Sequence, residues 1–156
     1  MALPQEVQQS FNSLVNSGSI RRVVIPAGAP IAIVSDGAAA ANVYAAWVQI
    51  VAAAVITDPT WLAGVTILQS TLAAADLADL NIGSGALAAE VSLAEFAYFL
   101  ELAAGAGIIR PVVTYEMAYP IRVAGAPRIA ARIRKASAAS ATGVTPKAIF
   151  YTAFGT

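Results

Sequence analysis

The chain has 156 residues, nine basic and nine acidic side chains, and neither histidine nor cysteine. This length suits one domain with a sizeable core and does not suggest two. Without histidine and cysteine, the chain lacks the commonest general base and metal ligand, thiolate nucleophiles and disulfides. A composition that is 58% hydrophobic and 12% charged excludes a disordered protein. We expect a folded, non-enzymatic protein with no catalytic residues, no metal and no cofactor.

An uncharged stretch from Gly37 to Thr57 is long enough to cross a bilayer as a helix. It contains Asn42 and Gln49, its apolar residues are mostly alanine, and both of its flanks are acidic, unlike the basic flanks of a membrane span. Residues 1–11 also lack the basic region and apolar run of a secretion signal. These features predict no contact with a membrane and a protein made in a cytoplasm.

The first residues and the rest of the chain show different hydrophobic patterns. Residues 4–15 place Val7, Phe11 and Leu14 at helical spacing, which predicts a short amphipathic helix or docking arm. From Ser19 on, short apolar runs alternate with Gly, Pro, Asp and Ser, as in sandwiches and barrels. We therefore assign residues 1–18 to an arm or short helix and residues 19–156 to a β-sandwich domain. The predicted strands are 20–25, 29–34, 44–53, 61–69, 96–103, 108–118, 121–123, 128–135 and 147–154.

Two segments in the middle of the chain are less regular. Between Ser70 and Leu80, leucines recur without β-branched neighbours, which predicts one or two helical turns. Residues 87–102 fit either a helix or a strand, because Phe96 and Leu100 lie on the same face of the segment in either conformation. The aromatic residues and the Gly-Ala-Gly sequence at 105–107 favour a strand from Phe96 on, although alanine and leucine favour a helix.

A short pattern occurs twice in the chain. Residues 24–32 and 122–130 each read as a strand, a tight turn containing Ala-Gly-Ala-Pro, and another strand. Glycine in such a turn supplies a positive φ at no steric cost. The pattern predicts the same hairpin in two places, either as a repeated layer or as convergence in an alanine-rich chain.

Charge is distributed unevenly along the chain, although the formal net charge is zero. Between Val23 and Ile109 there are seven acidic residues and no basic one. From Arg110 to the end there are seven basic residues and one acidic residue. Such a division indicates either two solvated faces or an electrostatic contact with a partner.

Four arginines in the basic segment alternate with apolar residues. The candidate partner-contact residues are Arg122, Arg128, Arg132 and Arg134. The last three share one strand face, opposite Ile129 and Ile133, which should point into the core. This face either keeps the protein soluble or contacts an acidic neighbour, which is another copy of the chain or a different protein. Zero net charge and the absence of aromatic residues between these arginines in the sequence argue against nucleic acid.

Other motifs give weaker indications. Residues 83–88 match the Gly-x-Gly-x-x-Ala pattern of dinucleotide-binding loops, but the residues before it read as a poor buried strand, so a plain connection is favoured. Asp76, Asp79 and Asn81 could offer oxygen ligands to calcium, but their spacing departs from that of a calcium-binding loop. Trp47 and Trp61 lie in predicted strands and are interpreted as core residues.

Two hairpin sequences carry a resemblance to a known family. They are Ile-Pro-Ala-Gly-x-x-Ile-Ala at 25–32 and Ile-Arg-Val-Ala-Gly-Ala-Pro-Arg-Ile-Ala-Ala-Arg at 121–132. Together with the strand pattern of residues 20–154 and the preceding arm, they resemble head decoration (cement) proteins of tailed bacteriophages and related jelly-roll-like virion proteins. The resemblance implies trimers that clamp neighbouring major capsid subunits, and no catalytic residues.

We therefore expect an all-β, jelly-roll-like β-sandwich of about eight strands with an N-terminal helix or arm. The expected function is a capsid decoration protein, made in the host cytoplasm and located on the capsid surface of the virion. Its expected partners are itself, as a homotrimer, and the major capsid protein, with the arm packed on a neighbouring molecule. The alternative is a ligand- or carbohydrate-binding module, which would show exposed, clustered aromatic side chains.

Overall fold

The computed structural model describes residues 4–25, 34–35, 40–53, 55–56, 60–71, 76–100, 112–125, 128–136 and 143–153. Within these ranges the chain forms one helix and nine strands. They are α1 (Pro4–Asn16), β1 (Arg21–Ile25), β2 (Val34–Ser35), β3 (Val48–Val51), β4 (Thr60–Thr71), β5 (Asp76–Ser84), β6 (Val91–Leu100), β7 (Val112–Val123), β8 (Ile129–Lys135) and β9 (Gly143–Thr152). None of the described residues belongs to a helix with the length and hydropathy of a membrane span.

The strands form two antiparallel sheets. Sheet A has the order β1-β9-β4-β7, with β2 also pairing with β9, and sheet B has the order β3-β8-β5-β6. Apart from the two-residue β2, the first strand pairs with the last, the next with the last but one, and so on inward to β5 with β6. This nested pairing is that of a jelly roll. The predicted all-β, jelly-roll-like sandwich is confirmed.

The main core lies between the two sheets. Leu62 and Phe150 of sheet A, and Leu80 of sheet B, are completely buried in it. Ile129 and Ile133 are buried there as well, as the strand alternation of β8 predicts. Each such side chain stabilises the fold by about 1.5–3 kcal/mol relative to exposure. The alternation places the arginines of β8 on the opposite, outer face of sheet B.

Helix α1 packs on the outer face of sheet A. Phe11 is buried in a second cluster with Ile20 and Trp61. The helix ends in a Schellman motif, in which the Gly18 N–H donates to the Val15 carbonyl and the N–H of residue 19 donates to the carbonyl of residue 14. Gly18 adopts φ 72° there, a conformation that glycine allows. The expectation that the arm packs on a neighbouring molecule and not on its own sandwich is therefore wrong in its second part, since Phe11 is buried against its own sandwich.

A large bulge interrupts the pairing of β4 with β7. Leu62 pairs with Ile121, but Gly64 pairs with Glu116, so residues 117–120 bulge out opposite the single residue Ala63. At Gly64 the two backbones approach so closely that a Cβ atom would lie 2.1 Å from the carbonyl oxygen of Tyr115. Only glycine fits at this position.

The main error in the predicted secondary structure concerns residues 70–80, in the middle of the chain. The segment 70–80, predicted as helical turns, contains the end of β4 and the start of β5, which lies between β8 and β6 in sheet B. Ala78, Leu80 and Ile82 are buried, while Asp79 is partly exposed. This alternation overrides the low strand propensity of the sequence. The strand predicted from Phe96 begins earlier, at Val91, and excludes the helical alternative there.

The repeated hairpin is not formed by the strands that the structure describes. β7 and β8, which flank residues 124–128, belong to different sheets, so this turn crosses between the two layers. β1 and β2 both pair with β9 and not with each other. Residues 26–33, which include the first turn and most of the predicted strand 29–34, lie outside the described residues.

Several predicted boundaries also change. The strands predicted at 108–118 and 121–123 form one strand, β7, with residues 108–111 outside the described part of the chain. The predicted strand 44–53 is shorter, because residues 43–47 are irregular and only β3 is regular. Trp47 lies in this irregular part. Trp61 is 5% exposed in β4 but contacts α1 and not the main core.

Candidate functional site: the outer face of sheet B

An irregular segment, residues 40–47, runs along β8 at the margin of sheet B. The Asn42 N–H donates to the Lys135 carbonyl at 2.7 Å, and the Ala45 N–H donates to the Ile133 carbonyl at 3.0 Å. Asn42 has φ 61°, a left-handed conformation that asparagine tolerates better than most residues. These bonds tether the segment beside the arginines of β8, where its aromatic side chains contact them.

Arg132 of β8 stacks on two aromatic rings of this segment. Its guanidinium carbon lies 4.3 Å from the ring centroid of Tyr44 and 4.2 Å from that of Trp47, both within cation–π distance. A Cβ atom at Gly83 would lie 2.6 Å from the tip of the Trp47 ring. The absence of a side chain at Gly83 therefore makes room for the indole on the sheet.

The neighbouring arginines of this face are paired with carboxylates of the same chain. Arg134 Nε donates to Asp79 Oδ2 at 2.8 Å. Arg128 pairs with Glu90, and its Nε also donates to Gln49 Oε1 at 3.0 Å. Both carboxylates belong to the acidic segment of the sequence. The uneven distribution of charge along the chain is thus partly neutralised within sheet B, where β8 lies against β5.

The Glu90 carboxylate is enclosed by the loop between β5 and β6, with its side chain 1% exposed. Burial acts to raise the pKa of Glu90, but hydrogen bonds from Arg128 and from backbone N–H groups outweigh this and lower the pKa below its ordinary value. Ala88 in this loop has φ 63°. The ion pair therefore fixes a tight loop that connects the two strands.

A second polar network surrounds Asn81, which is 1% exposed in the middle of sheet B. Asn81 Nδ2 donates to Ser92 Oγ at 3.0 Å and to Glu95 Oε1 at 2.9 Å. Tyr44 Oη donates to the same Glu95 oxygen at 2.6 Å. The hydrogen bonds from Tyr44 and Asn81 hold the pKa of Glu95 below its usual range. Burial, and then the bond to Glu95, raises the pKa of Tyr44 to about 12.

Three buried polar atoms on this face lack a hydrogen-bond partner among the described residues: Asn81 Oδ1, Glu90 Oε2 and Arg132 Nε. Arg132 and Asn81 are register partners on β8 and β5. Leaving a buried polar atom unpaired costs about 1–3 kcal/mol. A bound water or a partner group could satisfy these atoms.

An apolar surface borders this face at the β5–β6 loop. Leu87 is 76% exposed and Val91 is 68% exposed. A depression of about 260 Å³ beside Leu87 is lined by Ala46, Trp47, Leu87, Ala88 and Glu90. The stacked rings and the exposed Leu87 side chain meet at this depression and form what we call the aromatic–apolar surface (Tyr44, Trp47, Leu87 and Arg132).

The structure separates the four predicted contact arginines. Arg128, Arg132 and Arg134 lie together on sheet B, whereas Arg122 lies on β7 in sheet A, 4.9 Å above the Trp61 ring. Arg122 Nη1 also donates to the carbonyl of Val123 at 3.1 Å. The ring stacking could not be predicted, because Tyr44 and Trp47 are distant from β8 along the chain.

The other sequence motifs form no dinucleotide or calcium site among the side chains that the structure describes, which do not include that of Asp76. Gly83 is preceded by a buried strand, contrary to the sequence interpretation, but β5 leads through a turn into the antiparallel β6, so no dinucleotide-type β-α-β unit surrounds it. Asp79 is bound to Arg134, and Asn81 faces Ser92 and Glu95. No group of three potential metal-ligating side chains occurs among the residues that the structure describes.

A smaller depression lies on sheet A between α1 and the bulge in β7. On its rim, Arg22 Nη2 lies 2.7 Å from Glu116 Oε1, with both side chains largely exposed. Phe11 and Tyr151 also line it. This surface provides a matched region for control variants, because it carries an ion pair on the opposite side of the sandwich.

Comparisons with protein-family models, curated proteins and solved structures find no match to this chain.

Proposed function

We propose that the chain is a non-enzymatic structural protein that assembles with other subunits, and specifically a capsid decoration protein that binds the major capsid lattice of a tailed phage. The observation that carries the proposal is the aromatic–apolar surface. Tyr, Trp and Arg are the residues most enriched at the energetic centres of protein interfaces, and here they adjoin the exposed side chain of Leu87. The jelly roll is also a fold of viral capsid proteins.

The arrangement of the aromatic side chains supports a protein contact over the alternative, a carbohydrate-binding module. A sugar needs an uncovered ring face on which to stack. The Tyr44 ring is contacted by two guanidinium groups, of Arg132 and Arg134. The Trp47 ring is covered by Arg132, and its tip packs over Gly83. These rings therefore shape a charged surface and leave little free aromatic face.

The proposed assembly is a homotrimer, repeated over the capsid surface so that many weak contacts act together. Light scattering at micromolar concentration should give three times the chain mass of 15.9 kDa. A monomeric mass would contradict the trimer.

Binding to capsids is tested by mixing the purified protein with capsids of the encoding phage that lack it, followed by sedimentation and electron microscopy. The expected result is cosedimentation and added density at regular positions on the lattice. Leu87→Ser should weaken binding, whereas Asn12→Ser, on the exposed side of α1, should not. Failure of the wild-type chain to bind, together with selective binding on a glycan array, would favour the carbohydrate module instead.

A further inference from the structure

Arg132 differs from the other two arginines on the outer face of sheet B. Arg128 and Arg134 each bind a carboxylate of their own chain. The Arg132 side chain makes no hydrogen bond or ion pair with the part of the chain that the structure describes, and its Nε is buried without a partner. It stacks on the Tyr44 and Trp47 rings, and its charge contributes to the lowered pKa of Glu95 without a hydrogen bond between them. Ring stacking holds the guanidinium in place but does not use its N–H donors.

The acidic side chains near Arg132 form their described hydrogen bonds with other groups. Asp79 binds Arg134. Glu95 accepts both of its described hydrogen bonds, from Tyr44 and Asn81, at one oxygen. Glu90 pairs with Arg128. The fold thus supplies carboxylates to both neighbouring arginines, whereas the Nη donors of Arg132 have no hydrogen-bond partner among the described residues.

The position of Arg132 is fixed before any partner binds. Trp47 is located by the space over Gly83, and Tyr44 is held by its hydrogen bond to Glu95. A group whose rotamer is already restricted loses less conformational entropy on binding. Arg132 is also partly exposed, so a partner can reach it.

We propose that Arg132 binds a carboxylate of an acidic partner protein, an Asp or Glu side chain that approaches over the stacked rings. This inference rests on the proposed function and names the chemistry of the partner's contact. A planar guanidinium matches a carboxylate in charge and geometry. A nucleic acid strand fits less well, because its backbone needs several cationic groups in a row, and Arg128 and Arg134 beside Arg132 are already paired with carboxylates.

The test uses an acetylated and amidated hexaglutamate peptide as the probe and the Arg132 Nε–H signal in nitrogen–proton NMR spectra as the reporter. Titration of the wild-type protein should shift this signal in a saturable way, with smaller changes for Arg134. Hexalysine should produce no such shift. An Arg132 signal that does not respond to hexaglutamate overturns the inference, and this measurement needs no substitution.

Two variants extend the test. Arg132→Gln should abolish peptide binding, and Arg132→Lys, which keeps the charge but loses the planar fork, should weaken it about tenfold. Arg22→Gln, which removes an arginine from the opposite sheet, should bind as the wild type does. Equal binding by Arg132→Gln and the wild type would contradict the inference. So would tighter binding to single-stranded DNA than to hexaglutamate.

Capsid binding separates this inference from the proposed function. If the wild type binds capsids and folded Arg132→Lys binds them equally well, the decoration role stands and the Arg132 contact is wrong. If the wild type binds hexaglutamate through Arg132 but never binds capsids, the carboxylate site stands and the proposed function is wrong.

Discussion

The ring of Phe11 in α1 meets the ring of Tyr151 in β9 edge-to-face, with centroids 5.0 Å apart and planes at 90°. Phe11 also contacts Trp61 at 5.7 Å. These contacts attach the N-terminal helix to the outer face of sheet A within one chain.

Phe11→Ala should therefore lower the free energy of unfolding by about 3 kcal/mol, because it removes a nearly buried aromatic side chain. Urea denaturation followed by tryptophan fluorescence measures this change, and Trp61 reports the contact directly. Asn12→Ala, an exposed control on the same helix, should change stability by less than about 0.5 kcal/mol. Unchanged stability of Phe11→Ala would mean that α1 does not pack on its own sandwich.

Gly64→Ala should destabilise the protein by about 3 kcal/mol, near the upper end of overpacking effects. The added methyl group would lie 2.1 Å from the Tyr115 carbonyl oxygen, so β4 and β7 must separate. Gly125→Ala is the control, since nothing lies within 4 Å of its Cβ position and only its φ of 73° is unfavourable, at about 1–2 kcal/mol. Thermal melting should rank the two variants in this order, and the reverse order would exclude the close approach at Gly64.

Acid should destabilise the protein partly through Glu95. Because the folded state lowers the pKa of this carboxyl, its contribution is present above the unfolded pKa of about 4.3. It is lost as the pH falls below that value, through the lower pKa of the folded state. Glu95→Gln should flatten this part of the stability profile, measured by urea denaturation between pH 3 and 6 in about half-unit steps. An unchanged acid dependence in Glu95→Gln would contradict the network around Asn81.

High pH should also destabilise the protein, in this case through Tyr44. Its pKa is raised to about 12 in the folded protein, above an unfolded value of about 10. The stability that this group contributes is therefore complete below about pH 10 and decreases as the pH rises from there towards the folded pKa. Absorbance at the phenolate band should show a late-ionising tyrosine that disappears in Tyr44→Phe. Tyr119→Phe, at a side chain that is 69% exposed, should leave it unchanged.

The two faces of β8 should respond differently to substitution. Ile133 is completely buried, so Ile133→Ala should lower the free energy of unfolding by about 2–5 kcal/mol. Arg134→Ser removes a partly exposed ion pair and should lower it much less. Chemical denaturation of both variants measures the difference. A larger effect of Arg134→Ser would mean that the strand faces the other way.

The sequence was sufficient to predict the fold class and the inward face of β8. Turn residues at short intervals indicated a β-sandwich, and the alternation around Ile129 and Ile133 indicated which side is buried. β5 was missed because Asp, Asn, Ala and Leu have low strand propensity. The period-two alternation of Ala78, Leu80 and Ile82 with Asp79 and Asn81 was the signal that could have shown it.

The site was less predictable because it depends on contacts between distant segments. Arg132 was recognised as outward-facing, but its stacking partners precede it by more than eighty residues. Which arginine has an intrachain carboxylate is decided by the register of β8 with β5, for example Arg134 with Asp79. The spacing of residues along β8 carries no information about that register. The arginines were therefore predicted to be equivalent.

The nested pairing of the strands also governs when the fold can form. Arg21 pairs with Thr152, so β1 has no partner until almost the whole chain has been synthesised. Among the described pairs, only β5 with β6 joins strands that follow each other in the chain. Topologies dominated by such distant contacts fold in milliseconds to seconds, more slowly than helical proteins of similar stability. During synthesis the emerging chain must therefore keep several apolar strands unpaired, and the central β5–β6 hairpin is the natural starting point from which the outer pairs close in succession.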